Sequence, residues 1–198
     1  MSLSQSRCVV SEMTSMSLPP LSLDTVFYPK SVAIIGASAD ERPDGGGWVA
    51  SLLHFGFRGP IYPINPRARE ILGLKAYASL DDVPGPVDLA IFNVPRSLVS
   101  KLMGDCVAKK VKVAHIYTAG FRETAHKEWE LAQAEFSRIA REGGVRLVGP
   151  NCMGIYCPDS GLTWARGFPK EPGTVAFVSQ SGASADRLSV DAVLLIGD

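Results

Sequence analysis

The glycines that follow the first apolar run of this sequence are the residues best suited to bind an anion. The run Ser31–Ile35 ends in Gly36, Ala37 and Ser38, and Gly45–Gly47 precede an apolar segment with helical periodicity. A strand that turns through small residues into a helix exposes backbone N–H groups, and the helix N-terminus attracts anionic oxygens. The spacing differs from the dinucleotide pattern GxGxxG, because eight residues separate the first glycine from the triplet. An ordinary flexible loop is the alternative interpretation.

A second candidate segment, Ile64–Arg69, follows the second apolar run and has the sequence INPRAR. NAD-binding folds carry an acidic residue at this point to bind the ribose hydroxyls. Here Asn65 and Pro66 are followed by Arg67 and Arg69, which suit a phosphate because a guanidinium matches its oxygens in pairs. Ordinary surface charge at the start of a helix is the alternative interpretation.

Three further clusters of turn residues stand where later apolar runs end. They are Asn93-Val94-Pro95-Arg96, Thr118-Ala119-Gly120-Phe121 and Gly149-Pro150-Asn151-Cys152-Met153-Gly154. Each cluster alone is typical of an ordinary turn. Open α/β sheets, however, bind ligands beyond the carboxyl ends of their strands, so the shared position of the clusters favours a common site.

The elements that position these clusters alternate between short apolar runs and amphipathic segments. We predict helices over Trp48–Phe55, Arg96–Lys110 and 125–142. We predict strands over Ser31–Ile35, Ile61–Ile64, Asp88–Val94, Lys112–Tyr117 and Val145–Val148. This alternation predicts an α/β fold, with a doubly wound, mainly parallel sheet covered on both faces. Pro63 inside the second strand favours an edge position or an early end of the strand.

The chain divides into three predicted parts. Residues 1–24 form a Ser-rich N-terminal arm, residues 25–157 form the α/β domain, and residues 158–198 form a linker and the first strand and helix of a second domain. In that last part we predict a strand over Thr174–Val178, followed by the turn Ser179–Gly182. We expect the chain to stop before this second sheet is complete, because each parallel crossover needs at least ~10–12 residues.

Charge and composition exclude several classes of protein. Twenty Lys and Arg balance twenty Asp and Glu, which argues against a general nucleic-acid binder. No apolar stretch approaches the ~20 residues that a membrane span needs, and no secretory signal is evident. The four cysteines lack the spacing of a zinc site, so we assign no metal ligand. We expect a cytoplasmic protein.

Taken in order, the motifs resemble one family. IIGAS, GFRGPIYPINP, NVP, YTAGF, GPNCMG and VAFVSQSG together are similar to the CoA-binding region of NDP-forming acyl-CoA synthetases, over roughly residues 27–183. That family includes ADP-forming acetyl-CoA synthetase and the α subunit of succinyl-CoA synthetase. The resemblance implies a Rossmann-like CoA-binding domain followed by a flavodoxin-like ligase domain. It also implies that CoA is surrounded by Gly36, Ala37, Ser38, Pro66, Arg67, Val94, Pro95, Tyr117, Thr118 and Ala119.

The resemblance also implies a second anion site. In the family, the SQSG motif opens a helix whose N-terminus points at a phosphohistidine, so the corresponding phosphate-binding residues here are Ser179, Gln180, Ser181 and Gly182. The alternative is a simple helix N-cap, with Ser181 capping its own turn. The complete enzyme would convert acid, CoA and ATP into acyl-CoA, ADP and phosphate, with Mg²⁺.

Two departures from the family bear on catalysis. His54, His115 and His126 do not match the family histidine, which lies downstream of SQSG, and the ATP-grasp part is absent from this sequence. We therefore assign no catalytic residue and expect a CoA-binding portion that is not catalytic alone and that works with an ATP-grasp subunit or domain. Two alternatives stay open: a standalone CoA-binding or regulatory module, and an NAD(P)-dependent oxidoreductase.

Overall fold

A five-stranded parallel sheet forms the centre of the computed structural model, which describes residues 22–39, 47–185 and 187–188. The strands are β1 (Val32–Ile35), β2 (Ile61–Ile64), β3 (Glu70–Ile71), β4 (Leu74–Lys75), β5 (Leu89–Phe92), β6 (Val113–Ile116) and β7 (Arg146–Val148). Strands β3 and β4 form a separate antiparallel hairpin. The other five pair in the order β2-β1-β5-β6-β7, which confirms the predicted doubly wound α/β fold.

The helices α1 (Asp24–Phe27), α2 (Trp48–Phe55), α3 (Val99–Ala108) and α4 (Lys127–Glu142) accompany these strands, and helical winding is also present at 182–185. Helix α2 ends as the sequence predicts, because Gly56 adopts the left-handed conformation and its N–H bonds the last turn. A short 3₁₀ turn, Arg96–Leu98, leads into α3, so the predicted helix Arg96–Lys110 starts in a tighter winding. None of the helices in the described ranges is long and apolar enough to cross a membrane.

The two faces of the sheet bury two separate apolar clusters. Every residue of β1, β5 and β6 is buried, as expected for parallel strands covered on both sides. Val32 and Ile34 point towards α2, whereas Ala33 and Ile35 point towards α3 and α4. This alternation follows from the two-residue period of a strand, and it fixes which helix covers which face.

Strand β2 lies at one edge of the sheet and contains a proline. Pro63 pairs with Ile34 of β1 in the parallel register. A proline has no N–H for the ladder, so an edge position, with only one neighbouring strand to satisfy, tolerates it. The predicted edge placement of this strand is confirmed.

An aromatic strap, residues 155–168, follows the last strand and packs over α2. The side chains of Tyr156, Trp164 and Phe168 meet edge to face, with ring centroids 4.6–6.4 Å apart. The Ser51 hydroxyl on α2 donates to the Trp164 carbonyl oxygen at 3.2 Å. The strap therefore shares one core with β1 and α2, so this packing continues past the predicted domain boundary at residue 157, while the boundary itself stays a prediction.

One predicted strand is absent. Thr174–Val178 has no strand pairing, and its residues are exposed, with Val178 93% accessible. The apolar run has strand composition, but a strand also needs a neighbour to bond its backbone, and the described part of the chain supplies none here. Conversely, helix α1 and the hairpin β3–β4 form although no strand or helix was predicted there. Both are too short to show a clear periodicity.

Candidate functional site

The order of the sheet reverses between β1 and β5, which is where open α/β sheets bind ligands. Gly36 follows β1 with φ +86°, and a Cβ atom at this position would overlap the carbonyl oxygen of Asn93, which follows β5. The N–H of Asn93 also donates to the carbonyl oxygen of Ile35 at 2.9 Å. The glycine thus allows the two loops to touch at the switch point.

Asn65 joins the loop after β1 to the arginine segment after β2. Its Nδ2 donates to the Ala37 carbonyl oxygen at 2.8 Å, and its Oδ1 accepts the N–H of Arg67 at 2.9 Å. Pro66, Arg67 and Ser38 are exposed. These predicted residues therefore lie at one edge of the switch point. Of the glycine triplet, only the last glycine is described, and it precedes α2; the first two lie outside the described residues.

Thr118 joins the loops that follow β5 and β6. Its Oγ1 donates to the Val94 carbonyl oxygen at 2.7 Å, and the Val94 N–H approaches the same Oγ1 at 3.4 Å. The Tyr117 N–H donates to the Phe92 carbonyl oxygen at 3.2 Å and extends the ladder to the strand ends. One hydroxyl thus fixes the spacing between two of the predicted clusters. Pro95, another predicted residue, is exposed beside them.

A cavity of about 270 Å³ lies between these loops and the loop after β7. Its lining residues are Asn93, Val94, Tyr117, Thr118, Ala119, Asn151, Cys152 and Met153. Four of them belong to the predicted site, and the lining includes no charged side chain. The cavity therefore offers amide, hydroxyl and apolar surfaces, which suit an uncharged, partly polar ligand segment.

The other four lining residues were not assigned to the site, although all belong to recognised strand-end clusters. Asn151 adopts φ +53°, and its N–H donates to the Thr118 carbonyl oxygen at 3.1 Å. This bond turns the loop after β7 over the end of β6. The signal available in the sequence was the GPNCMG motif directly after the last strand. The motif does not show which of its residues face the cavity.

The Cys152 thiol is not set up as a nucleophile. Burial raises its pKa, and a hydrogen bond with the Gly154 backbone opposes this effect only in part. A thiol with a raised pKa stays protonated near neutral pH, and the thiolate is the reactive form. Among the described residues no group of three His, Cys, Asp or Glu side chains could hold a metal ion.

The three histidines occupy different environments. His54 and His126 are exposed, at the end of α2 and before α4, while His115 is buried in β6. The His115 Nε2 lies 3.0 Å from the Cys152 carbonyl oxygen, directly behind the cavity lining. Within the described residues, no side-chain hydrogen bond or ring contact joins any of the three to the SQSG turn.

The SQSG turn approaches the cavity through a single glycine. Helical winding begins at Gly182, and a Cβ atom there would overlap the Met153 side chain that lines the cavity. A side chain at this position would force either the Met153 side chain or the turn to move. The contact brings the second predicted anion segment beside the candidate site.

The hydroxyls of this turn bond within the turn itself. Ser179 Oγ accepts the Ser181 N–H at 3.0 Å, and Ser181 Oγ accepts the Ser184 N–H at 3.4 Å. The second bond is the N-cap expected of Ser181. Gln180 is exposed beside them. The role of these residues in phosphate binding stays a prediction.

A larger depression, of about 330 Å³, lies at the opposite end of the sheet. Lys110–Lys112 line it together with Thr25, Gly143 and Gly144. Lys110–Lys112 directly precede β6, and Gly143 and Gly144 directly precede β7, so the depression lies at the amino ends of the strands. Parallel sheets place their ligands at the carboxyl ends, and the smaller cavity is therefore the better candidate site.

Comparison with known proteins decides the family. The profile described as "CoA binding domain" matches residues 30–158, which include all five parallel strands. The chain belongs to this CoA-binding domain family. The prediction that rested on the order of the motifs is thus confirmed.

Two relatives are longer proteins that this chain matches in part. The chain is 43% identical over 175 residues to an ADP-forming acetate–CoA ligase of Methanocaldococcus jannaschii, covering 87% of this chain and 24% of that protein. It is 41% identical over 161 residues to the α subunit of ADP-forming acetate–CoA ligase II of Pyrococcus furiosus, covering 81% and 35%. The chain thus spans about a quarter to a third of these relatives and corresponds to their CoA-binding portion.

A solved structure supports the same placement. The dinucleotide-forming acetyl-coenzyme A synthetase 1 of Ca. Korarchaeum cryptofilum, in complex with phosphate and ADP, superposes with a TM-score of 0.77 at 40% identity. The match covers 87% of this chain and 37% of that one. These comparisons give no support to the oxidoreductase alternative.

Proposed function

We propose that this chain binds coenzyme A across the carboxyl-end edge of its sheet, as the CoA-binding portion of an ADP-forming acyl-CoA synthetase. The proposal rests on one observation: the family match, the switch point of the sheet and the cavity lie at the same place. The family match over residues 30–158 contains the switch point, and the cavity between the strand-end loops opens there. The predicted cavity residues and the predicted phosphate residues flank the same edge.

The chemistry of the edge suits the two halves of CoA. The cavity has amide and hydroxyl groups but no charged side chain, which fits the amides and methylenes of the pantetheine arm. Arg67 and Ser38 lie exposed at the neighbouring loop ends, where the phosphates can stay partly solvated. An arginine side chain is well suited to such phosphates, because its guanidinium group matches their oxygens in pairs.

The end of β2 disfavours NAD as the ligand. Asn65 stands where NAD-binding folds place an acidic residue, and its side chain is already engaged with Ala37 and Arg67. Isothermal titration of the chain with CoA, NAD⁺ and NADP⁺ tests the proposal. We expect CoA to bind at least tenfold more tightly than either nicotinamide cofactor, using ~1.4 kcal/mol per decade. Tighter binding of NAD⁺ or NADP⁺ would refute it.

We propose that the whole protein catalyses acid + CoA + ATP ⇌ acyl-CoA + ADP + phosphate with an ATP-grasp subunit or domain and Mg²⁺, in the cytoplasm. The α-subunit relative from P. furiosus supports a partner. In that assembly Ser179–Gly182 would meet a phosphohistidine, since a helix N-terminus stabilises an anion. We expect the chain alone neither to form acyl-CoA nor to take up phosphate.

Incubation with radiolabelled ATP, acid, CoA and Mg²⁺ tests this second part. We expect no acyl-CoA and no label on the polypeptide. An acid-labile phosphohistidine on this chain would overturn it and would point to His54, His115 or His126. Adding a purified ATP-grasp subunit of the same family serves as the comparison for partner dependence.

A further inference from the structure

His115 is a buried polar residue in the middle of an apolar strand. Its side chain is 1% exposed, while the other residues of β6 are Val113, Ala114 and Ile116. Its Nε2 lies 3.0 Å from the carbonyl oxygen of Cys152. A carbonyl oxygen only accepts hydrogen bonds, so Nε2 must carry the hydrogen and donate it.

The imidazole lies directly behind the cavity lining. Cys152 lines the cavity, and so does Tyr117, which stands two residues after His115 and therefore on the same face of the sheet. The Trp48 ring packs edge to face on both, with centroids 5.3 Å from His115 and 5.6 Å from Tyr117. His115 is thus wedged between the first residue of α2 and the loop after β7.

The surroundings of the imidazole keep it neutral, with one N–H group. Burial lowers the pKa of His115 to about 4, because the charged form would lose its hydration, although the Cys152 carbonyl favours it slightly. The ring is therefore neutral at physiological pH, with one N–H to donate. That hydrogen bond is therefore available near neutral pH.

The loop after β7, which receives this bond, contains a strained residue and a long hydrogen bond. Asn151 is in the left-handed region at φ +53°, where a residue with a side chain is strained. The Cys152 N–H reaches the Ile116 carbonyl oxygen only at 3.4 Å, a long bond. The 3.0 Å contact from His115 is the shorter of the two contacts that Cys152 makes to β6.

We propose that His115 is a positioning residue that holds Asn151–Met153 in the conformation required to bind CoA. The inference rests on the proposed function of the cavity and adds a residue that touches no ligand. The Nε2–H of His115 acts through the Cys152 carbonyl oxygen, so a hydrogen-bond donor at this position is more important than the shape of the ring.

Two variants of similar length separate the donor from the volume. His115→Gln keeps an N–H donor near the Nε2 position, whereas His115→Met fills the space without one. We expect His115→Met to weaken CoA binding roughly tenfold in isothermal titration, since it leaves a buried acceptor unpaired. We expect His115→Gln to stay within about threefold of the wild type.

A matched control removes core volume elsewhere. Cys106→Ala truncates a fully buried side chain on α3, on the opposite face of the sheet, and should lower stability without changing CoA affinity. Equal weakening by Gln and Met at position 115, or wild-type affinity with Met, would overturn the positioning role.

Hydrogen exchange gives a readout that needs no ligand. In His115→Met the amides of Asn151 and Cys152, which are hydrogen-bonded to the Thr118 and Ile116 carbonyl oxygens, should exchange faster than in the wild type, while those of β1 stay unchanged, and His115→Gln should restore protection. Unchanged exchange at these amides overturns the inference. If the wild type fails to bind CoA, the proposed function is refuted, and exchange alone decides whether His115 holds the loop.

Discussion

Gly36 and Asn93 are in direct contact at the switch point of the sheet, and the contact leaves no room for a side chain. A Cβ atom at Gly36 would overlap the Asn93 carbonyl oxygen and would lie 2.8 Å from Cγ1 of Val94. Gly36 also has φ +86°, a conformation that residues with a side chain rarely adopt. The absence of a side chain at Gly36 therefore allows the loops after β1 and β5 to lie in contact at the candidate site.

We expect Gly36→Ala to impair CoA binding more than its effect on stability suggests. The methyl group must push the loop after β5 away, and Val94 on that loop lines the cavity. We expect at least tenfold weaker binding in isothermal titration, with a loss of roughly 2–4 kcal/mol in the free energy of unfolding.

The control is Gly73→Ala in the β3–β4 hairpin. Gly73 has a similar φ of +79° but open space around its Cβ position, so it reports backbone strain without the collision. We expect it to lose only about 1–2 kcal/mol of stability and to keep its CoA affinity. Equal loss of affinity in both variants would contradict a role for the Gly36–Asn93 contact.

The hydroxyl of Thr118 provides a second test of loop spacing. Thr118→Val removes the 2.7 Å bond to the Val94 carbonyl oxygen but keeps the shape of the side chain. We expect a loss of about 1–2 kcal/mol in urea unfolding, together with weaker CoA binding, because the acceptor is left unpaired. Thr118→Ser keeps the hydroxyl and should bind CoA like the wild type. A valine variant with full affinity would show that this bond does not shape the site.

Arg67 is the predicted phosphate ligand with the clearest test. Its side chain is exposed, so we expect Arg67→Ala to weaken CoA binding about tenfold, near the lower end of the ~1.5–3 kcal/mol typical of bonds to charged groups. Arg69→Ala tests the second arginine of the segment, and Arg58→Ala, exposed before β2 at the opposite end of the sheet, is the control that should keep its CoA affinity. Titration with dephospho-CoA then locates the contact, since that ligand lacks the 3′-phosphate.

The two ligands give distinct outcomes for Arg67→Ala. A loss confined to CoA places the arginine on the 3′-phosphate, whereas equal losses place it on the pyrophosphate. Unchanged affinity for both ligands would make Arg67 an ordinary surface charge. The phosphate half of the proposed site would then have to be sought at Ser38 and the glycine loop.

Asp88 makes stability depend on pH at the other end of the sheet. Burial by itself would raise the pKa of Asp88, but Lys112 at 2.9 Å and the Lys30 N–H at 2.9 Å outweigh it and lower the pKa overall. A lowered carboxyl pKa stabilises the fold above the unfolded value of about 3.9, and this contribution is lost as pH falls towards the folded value.

We therefore expect Asp88→Asn to be less stable than the wild type by about 1 kcal/mol near pH 7, a modest value because Lys112 is half exposed. The difference should shrink as pH falls below about 4. Urea unfolding at several pH values measures it. In a Lys112→Ala background the difference should be smaller, and a gap that persists unchanged at pH 3 would contradict this assignment.

The sequence by itself determined the sheet. The strands β1, β5 and β6 are short apolar runs with no alternation, which is how a strand buried on both faces must read. The bounds of Trp48–Phe55 and Ile61–Ile64 are those that the sequence predicts. Gly47 and Gly56 flank the helix, and Pro60 directly precedes the strand. The order of motifs then identified the family. All of this information is local or sequential.

Tertiary structure decided the features that depend on a neighbouring segment of the same chain. Thr174–Val178 has the composition of a strand, yet it forms none in the described part of the chain, because a ladder requires an adjacent backbone. Trp164 and Phe168 lie in a region predicted as a linker, but they are buried because α2 offers them an apolar face. Burial of this kind cannot be deduced from one segment alone.

The candidate site shows the same division. Strand-end clusters were evident in the sequence, and four of the eight cavity residues were predicted. The inward turn of Asn151, and the hydrogen bond from His115 to Cys152, depend on contacts between residues more than 30 positions apart. A sequence specifies which groups can donate and accept, whereas only the packed sheet brings a given donor within 3 Å of a given acceptor.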